Sequence, residues 1–193
     1  MSDFWLFFDL GRDHILDIKA YDHVLFVVAL CAAFRLSEWK RVLILVTAFT
    51  TGHSVTLAMV VLDVIKINAA LVETLIPITI LLTALSNIHF RNKQQNQSNL
   101  QLNYTLALVF GFIHGMGFSN YLKSLLGSDI SIVNQLLAFN VGLELGQVFI
   151  VFGFFGIVFI VERFKLLNKP DWVLAVSSAV GGVSITLLLD VWF

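Results

Sequence analysis

The chain has 193 residues, of which 58% are hydrophobic and 13% charged, with a formal net charge of −1. Soluble domains carry about 25% charged residues, so this composition excludes an ordinary soluble domain, and the near-neutral charge offers nucleic acid no basic surface. The single cysteine, Cys31, excludes an internal disulfide and a thiolate metal site and reads as a small core residue.

The opening stretch, "MSDFWLFFDLGRDHILDI", mixes aromatic, apolar and acidic residues. It lacks the basic start and small-residue cleavage site of a secretory signal, so it is expected to be retained as a short interfacial helix. Apolar runs near bilayer-crossing length then recur. They predict an all-α, polytopic bundle of six spans forming a single transmembrane domain. The spans fall at about 21–36, 41–62, 72–90, 103–120, 134–161 and 172–191. The connectors richest in base are 35–41 (Arg35, Lys40, Arg41), 91–101 (Arg91, Lys93) and 162–171 (Arg163, Lys165, Lys169). They are the first, third and fifth, so the excess of base in cytoplasmic loops predicts both termini on the outer side. The Gln/Asn-rich loop 91–101 reads as a solvated linker.

Polar residues fall in one layer. Asp22 and His23 open span 1, with His14 just before it, and Glu73 opens span 3. His53 stands about 18 Å up span 2 from its inner end. His114 lies past the middle of span 4, and Glu144 lies in the outer part of span 5. Asn140 and Gln147 share a helix face with Glu144. The inner half holds few polar groups beyond Thr79, Thr83, Ser86 and Asn87 of span 3. Gly111 and Gly115 flank His114, and Gly142 and Gly146 flank Glu144. These small-residue faces predict span 4 against span 5, with His114 and Glu144 in the join.

Ionisable groups within spans are expensive and face the bundle interior, paired or functional. Imidazole and carboxylate are ligands for nickel, zinc, iron and copper. A site assembled from His14, Asp22, His23, His53, His114 and Glu144 is therefore expected to hold a divalent transition metal, nickel or zinc first. Asn140, Gln147, Ser54 and Glu73 would support it. A permease would use such a cluster to pass the ion. A zinc-dependent intramembrane hydrolase would use the same imidazoles, with Glu144 or Asp22 as general base. A membrane accessory subunit would use them only to hold helices together. The lipid bilayer and a metal ion are the partners indicated, and no protein partner is.

The segments "HILDIKAYDHVLFVVAL", "FTTGHSVTLAM", "FGFIHGMGF" and "FNVGLELGQ", in this order, resemble the HupE/UreJ family. The resemblance implies a six-helix protein of the bacterial inner membrane, associated with hydrogenase and urease maturation and nickel permeation. It carries metal-site roles to His14, Asp22, His23, His53 with Ser54, His114, and the Asn140, Glu144, Gln147 helix. Ile15 and Ala20 stand where permease members have proline and glycine.

Overall fold

The computed structural model describes residues 3–18, 21–92, 97–125 and 132–193, and every regular element among them is helical. In chain order these are α1 (Asp3–Leu16), α2 (Asp22–Ala32), a 3-10 turn (Leu36–Glu38), α3 (Trp39–Val61), α4 (Ala69–Phe90), α5 (Gln97–Leu125), α6 (Ile132–Arg163) and α7 (Lys169–Trp192). Ala20 and Lys93 lie outside the described residues. Two boundaries follow from local chemistry. The Asn68 side chain accepts the Leu71 amide and starts α4, and the Asn168 side chain accepts the Asp171 amide and starts α7. α4 runs unbroken through the buried Pro77.

Four segments are long and apolar enough to cross a membrane: Leu36–Val61, Ala69–Phe90, Ile132–Arg163 and Lys169–Trp192. With the apolar outer surface this makes a multi-pass membrane protein. Phe149, Phe152, Ile157, Phe159 and Ile160 of α6 are all more than half exposed, which suits lipid and not water. α5 has the length, 29 residues, but Asn103, His114, Ser119 and Asn120 interrupt its apolar run. It also begins at Gln97, so half of the expected solvated linker is helix.

The start of the chain departs most from expectation. α2 has 11 residues, a rise of about 16 Å and roughly half a hydrocarbon core. The segment expected at an interface is instead packed into the bundle. Gly11 of α1 lies against the Phe139 carbonyl of α6, Gly142 against the Phe8 carbonyl, and Gly146 against Ile15 and Leu16. Gly142 also lies against the Arg12 amide and Gly146 against the Arg12 carbonyl, so the contacts move from residues 8–12 of α1 at 139–142 of α6 to residues 12–16 at 146, and the two helices run in the same sense. α2 continues that way, because Asn87, near the end of α4, donates to the Ala29 carbonyl at 2.7 Å. α1 and α2 are thus two short helices in series, with a break in the helix between Leu16 and Asp22.

The break separates two apolar cores. One joins Phe7 and Ile15 of α1 to Leu57 and Val61 of α3, Leu122 of α5 and Phe139 of α6. The other joins Phe26 and Leu30 of α2 to Leu45 and Phe49 of α3, Ile80 of α4 and Val151 of α6. Arg35, Lys40, Arg41, Arg163, Lys165 and Lys169 stand at the second core's end of the bundle, here the basic end.

The glycine faces do not join spans 4 and 5. A Cβ on Gly52 of α3 would meet the Leu108 carbonyl of α5 at 2.2 Å, and one on Gly115 of α5 would meet the His53 carbonyl at 2.2 Å. Gly52, Gly111 and Gly115 thus let the α3 and α5 backbones touch. Gly142 and Gly146 serve the α1–α6 contact.

Candidate metal centre

Between the two cores stand four imidazoles and a carboxylate. The last turn of α1 presents His14, and the first turn of α2 presents Asp22 and His23. The touching backbones of α3 and α5 present His53 and His114. Ring centroids are 4.6 Å apart for His14–His23, 5.8 Å for His23–His53 and 5.2 Å for His23–His114. Two groups have ligand atoms within 4.8 Å of one another: His14, His23 and His53, and Asp22, His23 and His114. His23 belongs to both. Nitrogens bound to one zinc at about 2.0–2.1 Å lie about 3.4 Å apart. Closing either group therefore takes side-chain movement of roughly an ångström.

His53 and His114 are fully buried and His23 is 4% exposed. His14 Nε2, both nitrogens of His23, both of His53 and Nδ1 of His114 are buried without a hydrogen-bond partner. His23 Nδ1 lies 3.3 Å from Asp22 Oδ1 but is not aligned to bond it. Each unsatisfied buried polar atom costs about 1–3 kcal/mol, and native interiors leave few of them. The six belong to four rings, and since each neutral imidazole keeps one lone pair, the four rings offer a donor set that fits a soft-to-borderline cation. The helix ends fit it too: the carboxyl end of α1 favours positive charge, and Asp22 offsets the positive amino end of α2. Aromatic rings wall the cluster. Phe118 lies 3.9 Å from His14, Phe139 stacks on His53 at 6.4 Å, and Phe26 and Phe49 lie 5.2 and 5.1 Å from His114.

Two openings lie along the helix axes. Beyond His14, away from the basic end, an open groove is lined by Asp13, His14, Asp17, Phe118 and Tyr121. Toward the basic end a crevice between α4 and α5, with a cavity of about 220 Å³, is lined in part by Thr83, Ser86, Asn87, Asn103 and Phe110. Phe26 touches both Phe110 and His114, so the aromatic layer stands between crevice and cluster.

Asp22 and His23 stand inside the cluster, and the groove carries Asp13 and Asp17 beside His14. Glu144 is elsewhere. Its carboxylate accepts from Thr47, six residues and about 9 Å of helix before His53. It shares an open groove with Asn140 and Thr50. Gln147 is buried and accepts from Thr50 at 2.8 Å. Ser54 donates back to the Thr50 carbonyl at 2.6 Å, and Glu73 is exposed on α4. Thr79, read in the sequence only as an inner-half polar residue, meets His114 Nε2 at 3.1 Å.

A family model described as "HupE / UreJ protein" matches residues 1–193, the whole chain. The chain belongs to the HupE/UreJ family. That family relates to the handling of nickel and similar metals at the membrane, and this member's buried imidazoles are groups that could bind such an ion. No curated protein and no solved structure matches this HupE/UreJ chain.

Proposed function

We propose that this HupE/UreJ protein is a divalent transition-metal permease of the nickel type in the bacterial inner membrane. The observation that carries the reading is the set of six unpartnered, buried imidazole nitrogens at a helix break. Broken helices in transporters expose unsatisfied backbone and helix ends to an ion near the bilayer midplane, and non-helical backbone is tolerated at that depth only beside a cavity or protein. α1 and α2 together make the first of six passes in a single transmembrane domain, with both termini outside and the basic end in the cytoplasm.

The ion approaches through the groove, where Asp13 and Asp17 attract it. It is taken first by His14, His23 and His53, then by Asp22, His23 and His114, with His23 common to both positions. Passage toward the cytoplasm follows the crevice beside Thr83, Asn87 and Asn103 once the aromatic layer of Phe26, Phe49 and Phe110 opens. Nickel or zinc is the cargo.

A hydrolytic reading is favoured by one feature. Asp22 sits beside two imidazoles of the cluster, where a general base would stand relative to a metal-bound water. The two readings part in proteoliposomes. Nickel uptake that depends on His23 and His53 is the permease result. A metal that binds stoichiometrically and never crosses, with or without a gradient, overturns the permease.

A further inference from the structure

The hydroxyl of Thr79 has a single proton, and the nearer of its two partners, the Ile76 carbonyl, can only accept it. Oγ1 donates it to the Ile76 carbonyl at 2.7 Å. The same Oγ1 lies 3.1 Å from Nε2 of His114. With its proton already given, the hydroxyl can only accept there, so Nε2 must carry the hydrogen. A neutral imidazole has one N–H and one lone pair. The lone pair of His114 therefore sits on Nδ1, a buried atom with no hydrogen-bond partner in the protein.

We propose that Thr79 is a positioning residue that locks His114 as its Nε2–H tautomer and so reserves Nδ1 as the metal-ligating atom. The inference deepens the metal-centre reading and rests on it for the identity of the ligand atom. The other rings around His114 cannot replace Thr79. Phe26 and Phe49 carry no acceptor, and His23 is the ring that shares the ion. Both Thr79 (3% exposed) and His114 are sealed from water, so solvent offers no competing bond. Fixing a ligating histidine through its second nitrogen is the usual task of a partner outside the ligand set, and losing such a partner lowers metal affinity by about 10–100-fold.

The test uses the full chain with 15N-labelled imidazoles, free of metal, at about pH 8, where ordinary histidines are neutral. The His114 signals are assigned by their absence in His114→Gln. The expected result is an Nε2–H pattern in the wild type and a tautomer mixture in Thr79→Val. Nickel and zinc should then bind Thr79→Val about 10–100-fold more weakly, and Thr79→Ser should restore both tautomer and affinity. Thr105→Val, which removes a similar hydroxyl-to-backbone bond to Gln101 with no imidazole nearby, should change neither. An Nδ1–H pattern in the wild type, or a Thr79→Val protein with unchanged tautomer and affinity, overturns the assignment. A wild type in the Nε2–H form that takes up no metal overturns the metal-centre reading and leaves the tautomer lock standing.

Discussion

Gly115→Ala tests how the α3–α5 contact makes the site. The added Cβ would fall 2.2 Å from the His53 carbonyl oxygen and 2.4 Å from Thr56 Oγ1, whereas ordinary contact begins at 3.4 Å. The carbonyl is backbone and cannot turn aside, so the helices must part by the difference, 3.4 − 2.2 = 1.2 Å. Overpacking of this kind costs about 1–3 kcal/mol. The same separation shifts His53, opposite the substitution on α3, relative to His114, one residue before it on α5, and so alters the spacing of the two ligand groups that share His23. If binding has to draw the helices back together, that strain reappears in the bound state, and 1–3 kcal/mol corresponds to about 5–150-fold in affinity. The measurement pairs thermal unfolding in detergent with nickel and zinc titrations of the purified protein. Gly181→Ala is the control, since its Cβ would meet nothing closer than 3.6 Å. A Gly115→Ala protein with wild-type melting temperature and affinity would refute the claim that backbone contact sets the ligand spacing.

Metal affinity should fall as the pH is lowered, because a ligating imidazole must be neutral and protons compete for its lone pair; His53→Gln with His114→Gln should remove most of the affinity and weaken the dependence, and an unchanged profile would show that other groups bind. Glu144→Gln should leave metal affinity within about twofold, since titrations that lose tenfold (about 1.4 kcal/mol) would place Glu144 in the ion's coordination despite its bond to Thr47. Ser37→Cys, Asn92→Cys and Leu167→Cys at the basic end should resist impermeant thiol reagents in intact cells, while Lys66→Cys at the other end should react. The reverse pattern would invert the topology.

The apolar runs were readable because lipid imposes a length on each helix and tolerates little charge. That rule correctly marked α3, α4, α6 and α7. At residues 3–32 hydropathy marks one run, whereas the structure has two short helices, α1 and α2. Asp9, Arg12 and Asp13 make α1 look like a surface segment by composition. What holds it in the bundle is backbone contact through Gly11 and Gly142, which hydropathy does not register.

The four clustered histidines were legible as ionisable groups at similar depth. Their convergence on His23 was not, because it depends on a break that brings residues 14 and 23 together. Glu144 shared their depth, but depth along the axis leaves the azimuth open, and α6 turns that carboxylate toward Thr47. The glycine spacing announced close packing without naming a partner. Thr79 was hidden because a threonine's role depends on where its one proton goes.

X-ray absorption on the purified protein loaded with one equivalent of nickel or zinc tests the central claim most directly. The account predicts imidazole scattering from two or three histidines at about 2.0–2.1 Å from the metal, reduced in His23→Gln because that ring belongs to both groups. A first shell of water and carboxylate oxygen alone, unchanged by His23→Gln, would contradict it.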